Sequence, residues 1–307
     1  MNKKKPHLLI IGGSGFIGYH LALQAKKKNW KVTSLSMHLP KKFRHIKGIN
    51  YLIADIKNFK NLKQKLCGNF THVVNLGGYV NHSFSKNIEK KMKETHFIGL
   101  VNLAKIFLKK NIVKFVQIGS CAEYGKAHAP QSENLECFPN SPYALSKLAS
   151  TKFLLMLYKL QQFPTTVLRF FQVYGPKQDS NRALPQIIKN CLSNKKFPVS
   201  QGNQIRDFCY IDDAVKAIFL ALKSRSSDGE IINIGYGKPS KVKDVIRKIN
   251  RIIKGGKPQF GKIKYRKDEN MKVYPDIQKA FIQLKWKPKV NLNQGIKIVI
   301  NSFRKNA

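Results

Sequence analysis

Short apolar runs alternate with amphipathic stretches through the first half of the chain. The apolar runs predict six β-strands, at residues 7–11, 31–35, 51–54, 71–76, 114–118 and 165–171. Apolar residues at helical spacing predict four helices, at residues 19–28, 59–66, 91–109 and 143–160. This alternation is typical of an α/β fold, a doubly wound parallel sheet with helices on both faces.

The second half of the chain is less regular, because proline and glycine interrupt it at short intervals. This pattern predicts two units. The larger unit covers residues 1–174 and a returning segment at about 205–236. Residues 175–204 and 237–307 are expected to form a smaller α+β unit on the C-terminal side.

Composition places the chain among ordinary globular proteins. Of its 307 residues, 42% are hydrophobic, and no apolar run approaches the roughly 18 to 20 residues of a membrane span. The basic start leads directly into the first predicted strand, so we expect no secretion signal and no membrane association. The five cysteines are widely spaced and form no C-x-x-C pair, which favours reduced thiols in the cytoplasm over disulfides or a metal site.

The net charge of +41 allows two interpretations. One is a polyanionic partner such as nucleic acid. The other is compositional bias, because lysine far outnumbers the nine arginines and is spread along the whole chain. Nucleic-acid surfaces usually include arginine for its bidentate geometry. We therefore favour compositional bias, although the positive field still attracts anionic substrates.

A glycine-rich loop follows the first predicted strand. Gly12, Gly15 and Gly18 form a G-x-x-G-x-x-G pattern that leads into a predicted helix. Glycines at this position permit a tight turn and let the backbone approach a pyrophosphate at the helix N-terminus. We expect this loop, including Phe16 and Ile17, to bind NAD or NADP.

The end of the second predicted strand bears on the choice between the two cofactors. An acidic residue there normally binds the ribose hydroxyls of NAD, but this chain has Ser36. Four cationic or titratable residues follow and could bind the 2′-phosphate of NADP, namely His38, Lys41, Lys42 and Arg44. The pattern favours NADP. NAD stays open, because Ser36 can bind its hydroxyls and lysines occur throughout the chain.

Tyr143 and Lys147 form a Y-x-x-x-K pair on a predicted helix, where positions i and i+4 share one face. An ammonium beside a phenol favours the phenolate, so we expect a lowered pKa for Tyr143 and acid/base catalysis. Because lysine is so abundant in this chain, the Y-x-x-x-K spacing alone is weak evidence for a catalytic pair. The surrounding sequence strengthens this interpretation, since Ser120 ends a predicted strand at the sheet edge where such folds bind ligands.

Further motifs recur in order along nearly the whole chain. They are Ala54-Asp55, Asn75-Leu76-Gly77-Gly78, Gly119-Ser120 with Tyr124-Gly125, Ser141-Pro142-Tyr143, Leu168-Arg169, Val173-Tyr174-Gly175-Pro176, Arg206-Asp207-Phe208 with Asp212-Asp213, Asp276, Lys279-Ala280 and Trp286-Lys287-Pro288. With the glycine loop, they resemble the extended short-chain dehydrogenases/reductases, specifically the NAD(P)-dependent nucleotide-sugar epimerase/dehydratase group. The resemblance implies a Rossmann-type fold whose larger unit binds the dinucleotide and whose smaller unit binds a nucleotide-linked sugar.

The resemblance also implies residue roles. Ser120 and Tyr143 contact the reacting oxygen, with Tyr143 as the acid/base, and Lys147 holds the nicotinamide ribose. Other cofactor-lining residues are Ser36, Asp55, Ile56, Leu76, Gly77 and Gly78, in addition to the glycine loop, Tyr143 and Lys147. Substrate-lining residues are Ser120, Cys121, Gln172 and Arg206. A homodimer formed through helices 91–109 and 143–160 is implied as well.

Arg206 has two interpretations. Its planar guanidinium is suited to clamping the substrate diphosphate. The alternative is an internal ion pair with Asp207.

Two residues depart from the family pattern and affect the expected details of substrate binding. His96 and Gln172 each stand where the family often has asparagine.

Three chemistries share this scaffold. A 4,6-dehydratase needs acidic residues directly after Ser120, and Cys121 and Ala122 disfavour that reaction. The stretch 119–125 is similar to that of nucleotide-4-keto-6-deoxyhexose reductases such as CDP-abequose synthase, which act in O-antigen deoxysugar synthesis. We therefore expect a 4-ketoreductase. A 4-epimerase is the alternative, and a non-enzymatic nucleic-acid-binding relative is a remote one.

Overall fold

The centre of the fold is a seven-stranded sheet in which all neighbouring strands are parallel. The computed structural model describes residues 5–266 and 269–305. Its strands are β1 (His7–Ile11), β2 (Lys31–Ser36), β3 (Asn50–Ile53), β4 (His72–Asn75), β5 (Lys114–Ser120), β6 (Thr165–Phe170), β7 (Gln172–Tyr174), β8 (Lys196–Pro198), β9 (Ile205–Arg206), β10 (Phe208–Tyr210), β11 (Glu230–Ile234), β12 (Ser240–Lys241), β13 (Lys257–Gln259) and β14 (Lys272–Val273). Its α-helices are α1 (Phe16–Lys27), α2 (Phe59–Lys65), α3 (Lys86–Met92), α4 (Gly99–Phe107), α5 (Pro142–Gln161), α6 (Ala183–Leu192), α7 (Ile211–Lys223), α8 (Val242–Ile253), α9 (Gln278–Leu284) and α10 (Leu292–Arg304).

The strand order across the large sheet is β3-β2-β1-β4-β5-β6-β11. The chain first builds outward from β1 to β3 and then crosses back to place β4 on the other side of β1. The carboxyl ends of β1 and β4 therefore flank the point where the order reverses, which is where sheets of this type leave a ligand crevice. The predicted Rossmann-type parallel sheet is confirmed.

Both faces of the sheet are buried. Successive residues of a strand point to opposite faces. In β1, Leu8 and Ile10 belong to one hydrophobic cluster with α1 and α7, whereas Leu9 and Ile11 belong to a second cluster with α2, α4 and α5. This double burial explains why the strands appear in the sequence as nearly continuous apolar runs.

The helix predicted at residues 91–109 differs in the structure. It begins earlier, as α3, passes through a π-helical segment at Lys93–Ile98 and continues as α4. The wider turn of a π-helix is common at functional sites, and this one contains His96. No helix among the described residues is both long and apolar enough to cross a membrane.

The C-terminal elements pack onto one face of the large sheet. Apolar residues of α6, α8 and α10 lie in the same cluster as Leu8 and Ile10 of β1. Trp286 is fully buried in this cluster, and its indole Nε1 donates a hydrogen bond to the Asp213 carbonyl at 2.9 Å. The two parts of the chain thus share one core. The division at residues 175–204 and 237–307 stays a prediction.

Replacing Trp286 with alanine tests this shared core. We expect Trp286→Ala to lower the free energy of unfolding by about 3–5 kcal/mol, because it empties a fully enclosed site. Chemical denaturation should show one cooperative transition at lower denaturant. The control Phe84→Ala, at an exposed aromatic residue, should change stability by less than about 0.5 kcal/mol. An early transition confined to the C-terminal part would show that the core is not shared.

Candidate active site

A cleft of about 1370 Å³ lies along the carboxyl ends of the central strands. This volume exceeds the roughly 300–1,000 Å³ of a site for one small ligand, so two ligands can be accommodated. The residues that the sequence assigned to catalysis, to cofactor lining and to substrate lining all line the cleft. These residues are Gly12, Gly15, Phe16, Ile17, Gly18, Ser36, Asp55, Ile56, Leu76, Gly77, Gly78, Ser120, Cys121, Tyr143, Lys147, Gln172 and Arg206. Their individual roles stay predictions.

The glycine loop has the shape of a pyrophosphate cradle. Gly12 has a φ of +78°, which favours glycine, and a Cβ on Gly18 would lie 2.5 Å from the Gly12 carbonyl oxygen. A Cβ on Gly15, by contrast, would meet only that oxygen, at 3.2 Å. Helix α1 begins directly after Gly15. The loop therefore fits a dinucleotide, with the backbone packed tightly around Gly12 and Gly18 and only one close contact at Gly15.

Two of the four residues proposed for a 2′-phosphate, Arg44 and Lys41, are paired with Asp179. The buried Arg44 guanidinium donates to the Lys177 carbonyl and to Asp179 Oδ1, the latter at 3.0 Å. Lys41 Nζ lies 3.7 Å from the same carboxylate. Of the four residues named, only His38 lines the cleft. This arrangement weakens the sequence-based preference for NADP.

Ser36 has a structural contact of its own. Its Oγ accepts a hydrogen bond from the backbone N–H of Ser14 at 3.1 Å. The side chain at the end of β2 therefore supports the glycine loop.

Ser120, Tyr143 and Lys147 converge at the centre of the cleft. Ser120 ends β5, and Ser141 caps the N-terminus of α5 by accepting from the Ala144 N–H, which starts the helix just before Tyr143. The Tyr143 and Ser120 side chains are hydrogen-bonded. Lys147 Nζ donates to the Ile118 carbonyl at 2.7 Å. The strand end and the helix thus bring together the three residues that the motif suggested.

The expected lowering of the Tyr143 pKa is not found. Burial raises the pKa of Tyr143 to about 12, and the hydrogen bond to Ser120 only partly opposes this shift. Burial also lowers the pKa of Lys147 to about 8, against the attraction of Glu123. Removing the phenolate from water therefore outweighs the stabilisation expected from the ammonium.

Two histidines flank the Tyr143 ring edge-on. The ring centroids of His96 and His82 lie 5.1 and 5.2 Å from that of Tyr143. Burial, reinforced by Lys147, lowers the pKa of His96 to about 3, so its Nε2–H donates to the Tyr79 carbonyl. The sequence singled out His96 but not His82, which lies in an irregular segment with no motif.

Three arginines and one glutamate also line the cleft. Arg206 and Arg266 both pair with Glu269, the second at 3.1 Å. Asp207 instead accepts backbone N–H groups of residues 236 and 237, so the alternative Arg206–Asp207 ion pair is wrong. Arg182 is the third of these arginines. No motif in the sequence pointed to Arg182, Arg266 or Glu269. The only signal was an acidic residue within a strongly basic tract.

The crevice at the strand-order reversal, the glycine cradle and the Ser–Tyr–Lys set define a class, the dinucleotide-dependent enzymes of the short-chain dehydrogenase/reductase type. Comparison with known proteins agrees. The family model described as "NAD dependent epimerase/dehydratase family" matches residues 8–235. The chain therefore belongs to this family of nucleotide-sugar enzymes.

Individual relatives resemble the chain over their full lengths. A putative UDP-glucose 4-epimerase of Methanocaldococcus jannaschii is 32% identical, covering 97% of this chain and 99% of the relative. The solved UDP-glucose 4-epimerase of Thermotoga maritima, with UDP-glucose, has a TM-score of 0.92 at 25% identity and coverage of 98% and 99%. A UDP-glucuronic acid 4-epimerase of Bacillus cereus, in complex with UDP-glucuronic acid and NAD, has a TM-score of 0.88 at 26% identity and coverage of 98% and 100%.

Alanine substitutions in the glycine loop separate its two roles. Gly18→Ala should destabilise the fold by about 1–3 kcal/mol, because the new methyl group meets backbone atoms that cannot easily move. Gly15→Ala should fold normally but bind NAD at least about 10-fold more weakly, because the methyl group enters the less tightly packed part of the cradle. Thermal unfolding and NAD titration measure the two effects. Unchanged NAD affinity in Gly15→Ala would show that the pyrophosphate lies elsewhere.

Proposed function

We propose that the protein is a UDP-sugar 4-epimerase that retains NAD. The observation that carries this proposal is the single acid/base group at the centre of the cleft. Cys121 and Ala122 follow Ser120 where a dehydratase needs acids, and among the described cleft-lining residues the carboxylates are Asp55, Asp179 and Glu269. Each of these three lies within salt-bridge distance of a lysine or arginine. One proton-transfer group suits a reaction confined to one carbon.

Each of the central residues has its own role in the proposed reaction. Tyr143, in its phenolate form, accepts the proton from the 4-hydroxyl of the sugar, and Ser120 shares the hydrogen bond to that oxygen. Because burial raises the pKa of Tyr143 to about 12, this form needs nearby positive charge. An NAD held by the glycine loop and by Lys147 would supply the hydride chemistry at C4. Lys147 supplies positive charge beside the phenol when it is an ammonium. Tyr143 then gives back the proton after the sugar has turned its other face, and the wide cleft has space for that turn.

The arginines support a nucleotide diphosphate at the far end of the cleft. Arg206 and Arg266 share one carboxylate, Glu269, and Arg182 has no salt bridge within the described residues. Three guanidinium groups and one carboxylate leave a net charge of +2, which matches the two negative charges of a diphosphate. UDP is proposed as the nucleotide because the relatives described above are named for UDP-sugars.

A nucleotide-sugar 4-ketoreductase is the second candidate. Ser36 in place of an acid and the similarity of residues 119–125 favour it. The engagement of Arg44 with Asp179 favours the epimerase, because a reductase that consumes NADPH needs a site for the 2′-phosphate.

Proton NMR of nucleotide sugars tests the choice. We would incubate the protein with UDP-glucose, UDP-glucuronic acid or UDP-N-acetylglucosamine without added cofactor. The epimerase is expected to interconvert C4 epimers with no net cofactor consumption. Reduction of a nucleotide-4-keto sugar with stoichiometric loss of NADPH, and no epimerisation of any of the three, would support the reductase instead.

Substitution of Tyr143 tests the acid/base assignment. Tyr143→Phe should lower kcat by about 10²-fold or more, because the ring stays while the proton carrier is lost. Tyr158→Phe, on the same helix and away from the cleft, is the matched control and should keep full activity. NAD binding should be unchanged in both variants. Equal turnover of the two variants would rule out Tyr143 as the acid/base.

We also propose that the protein is a homodimer through the helices predicted at residues 91–109 and 143–160, the second of which is α5 in the structure. Leu145 and Leu160 on α5 are 58% and 72% exposed and lie on one face with Met156. Light scattering of the wild type should give twice the chain mass. Leu145→Lys combined with Leu160→Lys should give monomers, whereas Leu39→Lys, at a leucine that is 61% exposed outside the helices, should not. A monomeric wild type at micromolar concentration would contradict this assembly.

A further inference from the structure

A buried carboxylate lies directly beneath the centre of the cleft. Glu123 is 0% exposed and belongs to a 3-10 helix, Cys121–Tyr124, that follows β5. It does not line the cleft. The proton transfers proposed above use only Ser120, Tyr143 and Lys147, so the function of this buried acid is unassigned.

The Glu123 carboxylate joins the two elements that carry the reacting groups, β5 and α5, to the neighbouring strand β6. Its Oε1 accepts the Ser120 backbone N–H at 2.8 Å, at the end of β5. Its Oε2 accepts Thr151 Oγ1 on α5 at 2.8 Å and Arg169 Nε on β6 at 3.0 Å. Thr151 lies one helical turn after Lys147. The Glu123 side chain therefore ties Ser120 to α5, in addition to the hydrogen bond from Lys147 to the Ile118 carbonyl.

The surroundings of Glu123 are shaped around its charge. A Cβ on Gly119 would lie 2.6 Å from Oε1, so the strand leaves this space to the carboxylate. Arg169 is 2% exposed, and its guanidinium lies 4.5 Å from the Tyr124 ring centroid. Lys147 is the second buried cation that interacts with Glu123. Without the carboxylate, two buried cations would have no counter-charge here, which is unfavourable.

We propose that Glu123 is a positioning residue that fixes the Ser120 backbone and supplies the counter-charge for the Lys147 ammonium. The role is an addition to the proposed epimerase function and rests on it for its effect on turnover. Titratable and charged groups that face Glu123 or Lys147 are Arg169, Tyr143, Cys121, Cys137 and His96. Glu123 is the charged group that raises the pKa of Lys147, and burial keeps the neighbouring His96 neutral.

The sign of the effect follows from the charges. Burial lowers the pKa of Lys147 to about 8, and Glu123 raises it. Replacing Glu123 with glutamine should therefore lower that pKa further, so that Lys147 loses its proton at lower pH. The alkaline limb of kcat should move in the same direction if the ammonium is needed for turnover.

The test compares Glu123→Gln with Asp228→Asn. Both variants remove the carboxylate from an ion pair with a buried cation, because Asp228 pairs with Lys114 outside the cleft. The titration midpoint of Lys147 is measured by NMR of ¹³Cε-labelled lysine and assigned by difference with Lys147→Met. We expect a midpoint lower by about one pH unit or more in Glu123→Gln, and no shift in Asp228→Asn. The kcat profile should follow the midpoint.

Two further variants keep the proposal testable. Glu123→Gln with Arg169→Met removes both partners of the pair. This double variant should be more stable than Glu123→Gln alone, and its Lys147 titration midpoint should stay shifted. Glu123→Asp keeps the charge on a shorter side chain and should restore the midpoint, while kcat stays low because Ser120 is held less well. An unshifted midpoint in Glu123→Gln would overturn the proposal. The NMR result holds even if no epimerisation is found, so the two proposals fail separately.

Discussion

The reversal of strand order between β1 and β4 is the constraint on which the site depends. Chain segments leaving these two strands pass in opposite directions, so neither covers the crevice between them. The glycine loop then closes over this crevice only because Gly18 lets the helix approach the Gly12 carbonyl. On the other side, β5 ends at Ser120 at the same level as the start of α5. The cleft is thus a consequence of topology, and its chemistry is added by side chains at the strand ends.

Much of this fold could be predicted because its strands are buried on both faces. The predicted bounds of β1, residues 7–11, match the structure, because four of its five residues are buried. Helix α1 begins three residues earlier than expected, because Phe16 and Ile17 were assigned to the loop. The π-helical turn around His96 left no local signal. The glycine and Y-x-x-x-K motifs were found because each is local in the chain.

The rest of the site could not be predicted because it depends on pairs of residues distant in sequence. Arg44 pairs with Asp179 and Arg206 with Glu269, more than 60 residues apart in each case. In a chain of charge +41 no spacing rule distinguishes these arginines from the general excess of cations. Burial also shifts pKa values in a way that the local motif does not indicate. It raises the Tyr143 pKa and lowers that of Lys147, so the motif alone gave the wrong sign for the phenol.

Identification of the nucleotide that remains bound to the purified protein is the most direct test of a self-contained epimerase. The protein would be denatured, and the released cofactor identified and quantified by mass spectrometry. A reaction that removes and returns one hydride needs no exchange of cofactor, so we expect NAD at about one molecule per chain. A protein released without nucleotide that then binds NADPH in preference to NADH would contradict the account and indicate a ketoreductase.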